Sequence, residues 1–149
     1  MKLLTSMAAC TLIALTACSP FSKVQDDKVA AEKIDGSWSV LWSGGAKLEG
    51  LTPKPTIVIN TSDKSISGFD GCNNYKGTYS FIDGKFKANV AGTRMACTSD
   101  LAKGVSTQMA DLFTNGAEIA KITIMKGNII VMKNSSAELR LAPTEDLNK

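Results

Sequence analysis

The chain has 149 residues and a net charge of +3, and it contains no histidine. This length suits one domain with a hydrophobic core. The absence of histidine excludes Ser-His-Asp and Cys-His catalytic groups, histidine-ligated zinc and the usual general base near neutral pH. The lysines are scattered and aromatic residues make up only 6% of the chain, so neither a basic patch nor a ladder of stacking rings predicts binding to nucleic acid.

The N-terminus has the pattern of an export signal. Lys2 precedes a mostly apolar run, residues 3–15, which suits a signal-peptide core and is too short to span a membrane. Leu15-Thr16-Ala17-Cys18 resembles the lipobox of bacterial lipoproteins, in which a peptidase cuts before the cysteine and the sulfur carries a diacylglycerol. The resemblance implies a signal peptide at 1–17 and a lipid anchor on Cys18, since several acyl chains hold a protein firmly to a membrane. An ordinary secretory signal is the alternative.

The lipobox resemblance also predicts where the protein resides. Serine at position 19 resembles the outer-membrane sorting pattern of enteric bacteria. We therefore expect a protein of the bacterial envelope, attached to the outer membrane and facing the periplasm. Residues 18–35 are polar and predict a tether, residues 36–142 a folded domain, and residues 143–149 a frayed tail.

Period-two alternation dominates the domain and predicts strands at residues 37–43, 56–60, 65–69, 77–82, 85–90, 119–125, 128–133 and 137–141. Asp83-Gly84 indicates a tight hairpin turn, and residues 47–55 predict a loop. From Leu101 to Phe113 apolar residues recur at helical spacing, with Thr98 or Ser99 as the cap. The fold class is therefore α+β: a curved, mainly antiparallel sheet of about eight strands with one main helix inserted after the fifth strand.

Two short motifs flank the predicted hairpin. Gly71–Tyr79 reads GCNNYKGTY, and Thr93–Cys97 reads TRMAC. In order and spacing these motifs resemble the META-domain family, which occurs in heat-inducible bacterial lipoproteins, and the resemblance covers roughly residues 36–141. It implies a curved antiparallel sheet with a helix and a loose link to envelope stress. It implies no established reaction.

The four cysteines have separable roles. Cys10 lies in the leader and Cys18 at the lipobox, which leaves Cys72 and Cys97 as one pair in the domain. In an oxidising compartment a disulfide between them would stabilise the fold by about 3 kcal/mol in the loop-entropy model. Redox or metal chemistry is the alternative, although there is no Cys-x-x-Cys and two thiolates without histidine make a poor zinc site. We expect no cofactor and no metal.

Four motif residues are candidates for binding. Asn73 suits a turn, because short amides tolerate left-handed backbone and form local hydrogen bonds. Tyr75 and Tyr79 are either core residues with a bonded hydroxyl or part of a recognition surface. Arg94 is either an internal brace paired with Asp70 or a charge that faces a ligand.

These observations predict a lipid-anchored, non-catalytic envelope protein that binds an unknown protein or peptide partner or acts under stress. One alternative is an inhibitor of a periplasmic or host hydrolase such as lysozyme, with residues 46–54 as the inserting loop. The other is an enzyme that uses thiol chemistry or a carboxylate pair such as Asp63 and Asp70.

Overall fold

A computed structural model describes residues 34–124 and 127–147. The predicted signal peptide, Cys18 and the tether up to residue 33 lie outside the described residues. Within those ranges the elements are β1 Gly36–Ser43, β2 Ala46–Lys47, β3 Thr56–Asn60, β4 Ser65–Phe69, β5 Asn74–Ile82, β6 Lys85–Gly92, helix α1 Asp100–Asn115, β7 Glu118–Ile124, β8 Gly127–Lys133, β9 Glu138–Pro143 and the 3-10 helix η1 Thr144–Leu147. No helix of this part of the chain is long and apolar enough to cross a membrane.

The strands form one antiparallel sheet in the order β6-β5-β4-β3-β1-β9-β8-β7, and β2 pairs with β1 beside this path. The two edge strands approach each other near one end of β6. There Phe86 and Ala117 exchange two backbone hydrogen bonds of 2.8 Å. The sheet therefore curls into a half-barrel whose edges touch at one bridge.

Side chains along the strands alternate between buried and exposed positions, as the sequence pattern predicts. On β6 the Phe86 side chain is fully buried, whereas Lys85 is exposed. On β9 Leu139 and Leu141 are buried while Arg140 faces outward. Because neighbouring side chains of a strand point to opposite faces, one face of the sheet supplies the core and the other meets solvent.

Helix α1 packs its apolar stripe into the half-barrel, against β6, β9 and β1. Ser99 caps its start by accepting the N–H of Ala102 at 3.1 Å. At its end the N–H of Gly116, at a φ of +94°, donates to the Leu112 carbonyl. The stripe consists of Ala102, Val105, Met109, Leu112 and Phe113. The helix thus fills the concave side of the sheet and completes one core.

The predicted fold class is confirmed, with one difference in the count of strands. The segment predicted as a loop at residues 47–55 begins with the two-residue strand β2, so α1 follows the sixth strand rather than the fifth. Two residues pair here because the Gly44-Gly45 turn brings Ala46 opposite Ser43. Such a short strand carries too few residues for a period to show in the sequence.

Residues just outside the predicted domain boundaries, 36 and 142, also contact the sheet. Ile34 is only 1% exposed and its carbonyl accepts the indole N–H of Trp38, so the start of the domain includes part of the predicted tether. Asp35 accepts hydrogen bonds from the backbone and hydroxyl of Thr61. At the other end the Thr144 hydroxyl lies 3.1–3.2 Å from two serine hydroxyls of β1. The 3-10 helix η1 thus follows β9 directly and contacts β1 through Thr144.

Candidate functional site

The Asp70 carboxylate joins the β4–β5 turn to helix α1. Its Oδ1 accepts the backbone N–H groups of Cys72 at 2.8 Å and Asn73 at 2.7 Å. Its Oδ2 accepts the Ser106 hydroxyl at 2.9 Å. Hydrogen bonds to an ionised carboxylate are stronger than those between neutral groups, so this one side chain fixes both the turn and the helix position.

A disulfide between Cys72 and Cys97 fastens the segment after β6 to the same turn. The two Cα atoms lie 4.7 Å apart, Cys72 is buried and Cys97 is exposed. The structure thus agrees with the predicted disulfide, and both sulfur atoms take part in that bond. Among residues 34–124 and 127–147 no three histidine, cysteine or acidic side chains are grouped to hold a metal ion.

The segment Thr93–Cys97 is exposed yet held at both ends. The Asn73 side-chain oxygen accepts the Met95 N–H at 2.6 Å and the Thr93 hydroxyl at 3.1 Å, and Cys97 is bound through its sulfur. Met95 is 66% exposed. The backbone of this exposed segment is therefore held in place by Asn73 and by the disulfide.

Arg94 lies in this segment and is exposed. Of the two alternatives for Arg94, the brace is not seen: the donors to Asp70 in the described residues are two backbone N–H groups and the Ser106 hydroxyl. In the described part of the chain the ion pairs are Lys47–Glu49 and Glu138–Arg140. The Arg94 guanidinium is therefore left facing solvent.

The two motif tyrosines both lie in the core. Tyr75 is 7% exposed, contacts Phe113 edge to face at 5.6 Å and donates its hydroxyl to the Thr56 carbonyl at 2.9 Å. That approach needs glycine at position 68, because a Cβ there would lie 2.1 Å from the Thr56 oxygen. Burial, together with the Asp70 charge, raises the pKa of Tyr75 far above its usual value, so the phenol stays protonated and donates.

Tyr79 has different surroundings. Its ring stacks on Phe86 at 5.2 Å, and burial, followed by the Asp35 and Asp63 charges, raises its pKa. No hydrogen-bond partner for its hydroxyl lies in the described ranges. Tyr79 is thus a packing residue of the opposite end of the sheet, and it does not join the group around Asp70.

A cavity of about 200 Å³ opens between the end of β6 and helix α1. Its walls are Val90, Tyr75, Met109 and Phe113, and Asp70 and Ser106 contribute polar groups. The Thr93 end of the exposed segment lies at its rim. The motif residues Asn73 and Tyr75 thus share this cavity with side chains of helix α1. The sequence did not indicate those helix residues as part of a site, because helical spacing does not distinguish a core residue from a cavity wall.

The predicted pair of acids is separated. Asp63 and Asp70 flank opposite ends of the five-residue strand β4, roughly 17 Å apart along the strand. Asp63 accepts the Ser65 N–H, and bonds from Ser65 lower its pKa. The segment at residues 46–54, predicted as the inserting loop of an inhibitor, packs against the domain, because Leu48 and Leu51 are buried in the core.

We predict that Tyr75→Phe lowers the free energy of unfolding by about 1–2 kcal/mol, because the Thr56 carbonyl loses this donor. The matched variant Tyr79→Phe should change it by less than about 0.5 kcal/mol, since no bond of its hydroxyl is lost. Urea unfolding of both variants measures the difference. Equal losses would contradict the assigned role of the Tyr75 hydroxyl.

A second prediction concerns the exposed segment. Asn73→Ala removes the acceptor of the Met95 N–H, so amide hydrogen exchange at Met95 should speed up by about tenfold or more. Asn73→Asp keeps an oxygen at the same position and should preserve the protection. Exchange at Met95 that is unchanged in the alanine variant would show that the disulfide alone holds the segment.

Comparison with known proteins agrees with this architecture. A solution NMR structure of a protein aligns with 80% of this chain and 97% of its own at 20% identity, with a TM-score of 0.63. The NMR structure of a protein from Burkholderia xenovorans covers 94% of this chain and 95% of its own at 21% identity, with a TM-score of 0.57. Both likenesses concern the fold. A search of curated proteins found no match. The META domain family model matches residues 31–146, and the chain therefore belongs to the META domain family.

Proposed function

We propose that this chain is a lipid-anchored envelope protein whose META domain binds a protein or peptide partner and catalyses no reaction. The binding surface is the exposed segment Thr93–Cys97 together with the adjoining cavity. A role under envelope stress is the finer form of this proposal, and its support is the resemblance to heat-inducible lipoproteins.

One observation carries the assignment of the surface. Thr93–Cys97 is exposed, but its backbone is fixed by the Asn73 side chain and by the disulfide. Fixing a loop before binding reduces the entropy lost when a partner docks, which raises affinity. Arg94 and Met95, which the segment exposes, are residue types enriched in protein interfaces.

The state of the carboxylates supports a binding role over catalysis. A pair of acids acts on a substrate only when both carboxyls reach it, and Asp63 and Asp70 lie at opposite ends of β4. Asp70 already accepts three hydrogen bonds, which is the arrangement of a structural carboxylate. The inhibitor alternative has less support, because Leu48 and Leu51 anchor the segment that would have to insert into a hydrolase.

The course of the chain would leave the binding surface accessible in a protein anchored at Cys18. The fold begins at Ile34, and Asp35 is bonded to Thr61 in the β3–β4 turn. The surface around Asp70 lies at the other end of β4. A tether from the membrane would therefore enter at the end of the half-barrel opposite the binding surface, which would leave that surface accessible from the periplasm.

Site-specific photocrosslinking of the full chain in cells tests the proposal. A benzoylphenylalanine at Ala96, in the exposed segment, should give a discrete adduct, and Arg94→Ala should lower its yield severalfold. The control places the same residue at Ala120, which is exposed on β7. Absence of an adduct at Ala96, or the same adducts from both positions, would contradict a binding surface at this segment.

A further inference from the structure

Strand β6 has a free edge. The backbone N–H and C=O of Phe86 point away from β5, because both are bonded to Ala117. Thr93, an odd number of residues further on, instead points its N–H at the Asn74 carbonyl at the end of β5. Since successive residues of a strand direct their backbone groups to opposite sides, Ala88, Val90 and Gly92 also direct theirs outward. Beyond the Phe86 bridge, no strand of the described ranges pairs with this edge.

The free edge borders the cavity. Val90 and Gly92 line one side of the cavity, and Met109 and Phe113 of helix α1 line the other. A strand edge beside a helix is a geometry in which an extended peptide adds as a further strand, bonded through its main chain, while alternate side chains enter pockets. The cavity volume of about 200 Å³ has room for one long side chain.

The chemistry of the cavity selects the side chain. Its walls are apolar and aromatic, and the Asp70 carboxylate contributes its polar end. The Oδ2 of Asp70 accepts one hydrogen bond, from Ser106, and neither ion pair of the described residues includes Asp70. A lysine matches this arrangement, because its alkyl chain packs on apolar surface and its ammonium requires acceptors.

We propose that the cavity binds the lysine side chain of an extended peptide segment, which adds as a strand to the free edge of β6 at Ala88–Gly92. The ammonium group donates to Asp70 and Ser106, and the alkyl chain lies between Tyr75 and Met109. This inference rests on the proposed binding function and specifies the partner as a lysine-bearing extended segment of a polypeptide.

Peptide titration of the full chain, purified in detergent, tests the inference. The probe is fluorescein-labelled Ala-Val-Lys-Val-Ala-amide, followed by fluorescence anisotropy, and the matched probe carries norleucine in place of lysine. We expect the lysine peptide to bind at least about tenfold more tightly, because only its ammonium pairs with Asp70. Lysine acetylated on its α-amine and capped as a methylamide, with a free side-chain ammonium and no flanking residues, should compete at least about tenfold more weakly than the peptide.

Two variants separate the two parts of the site. Asp70→Asn keeps an oxygen for the Cys72 and Asn73 N–H groups, and the Ser106 hydroxyl can rotate to accept from the amide, so the fold should persist. It should remove the preference for lysine over norleucine. Ala88→Pro removes an outward N–H that bonds to no strand of the described ranges, and Ala88 does not line the cavity, so this variant should weaken both peptides about tenfold or more. Circular dichroism checks that each variant is folded.

The outcomes distinguish this inference from the proposed function. Equal affinity for the lysine and norleucine peptides, or an Asp70→Asn variant that keeps the preference, would overturn the lysine site. Equal binding of the capped lysine and the peptide would overturn strand addition. If the crosslink at Ala96 persists in Asp70→Asn, the binding function stands while the lysine site fails. If Asp70→Asn loses both the crosslink at Ala96 and the preference for lysine, the result supports the binding function and the lysine site.

Discussion

The arrangement of this domain depends on the Asp70 carboxylate. Its two oxygens hold the turn that carries Cys72 and Asn73 and bind Ser106 on the helix, so one side chain sets the distance between α1 and the end of β4. This β4–β5 turn also positions the disulfide and the Asn73 amide. Those two groups fix the exposed segment Thr93–Cys97. A cation bound at Asp70 would therefore act directly on the junction of turn, helix and exposed segment.

The helix also explains why β6 keeps an open edge. A closed barrel would pair β6 with β7 along its length, but in the described residues the two edges are joined by one bridge, between Phe86 and Ala117, the residue before β7. Helix α1 occupies the concave side next to the remaining part of β6 and buries Met109 and Phe113 there. The result is a groove with a strand edge on one side, a helix on the other and a cavity with a carboxylate at one end.

The sequence predicts the local elements well and the junction only in part. Alternation and helical spacing are repeated signals, so the long strands and α1 are confirmed. The two-residue strand β2 is too short to show a period. The motifs pointed to Asn73 and the cysteines, but Asp70 and Ser106 are 36 residues apart, and their bond depends on how the helix is docked. Of the two alternatives for Arg94, the structure has no ion pair with Asp70, whose Oδ1 accepts two backbone N–H groups that a side-chain pattern cannot place.

The central claim is that the outward amides of β6 and the cavity at Asp70 form one peptide-binding groove. Amide hydrogen exchange of the full chain, with and without a saturating lysine peptide, tests it most directly. We predict slower exchange at Val90 and Gly92, whose N–H groups face the groove, and little change at Asn89 and Ala91, which pair with β5. Protection that falls on β7, or no change along β6, would contradict the claim.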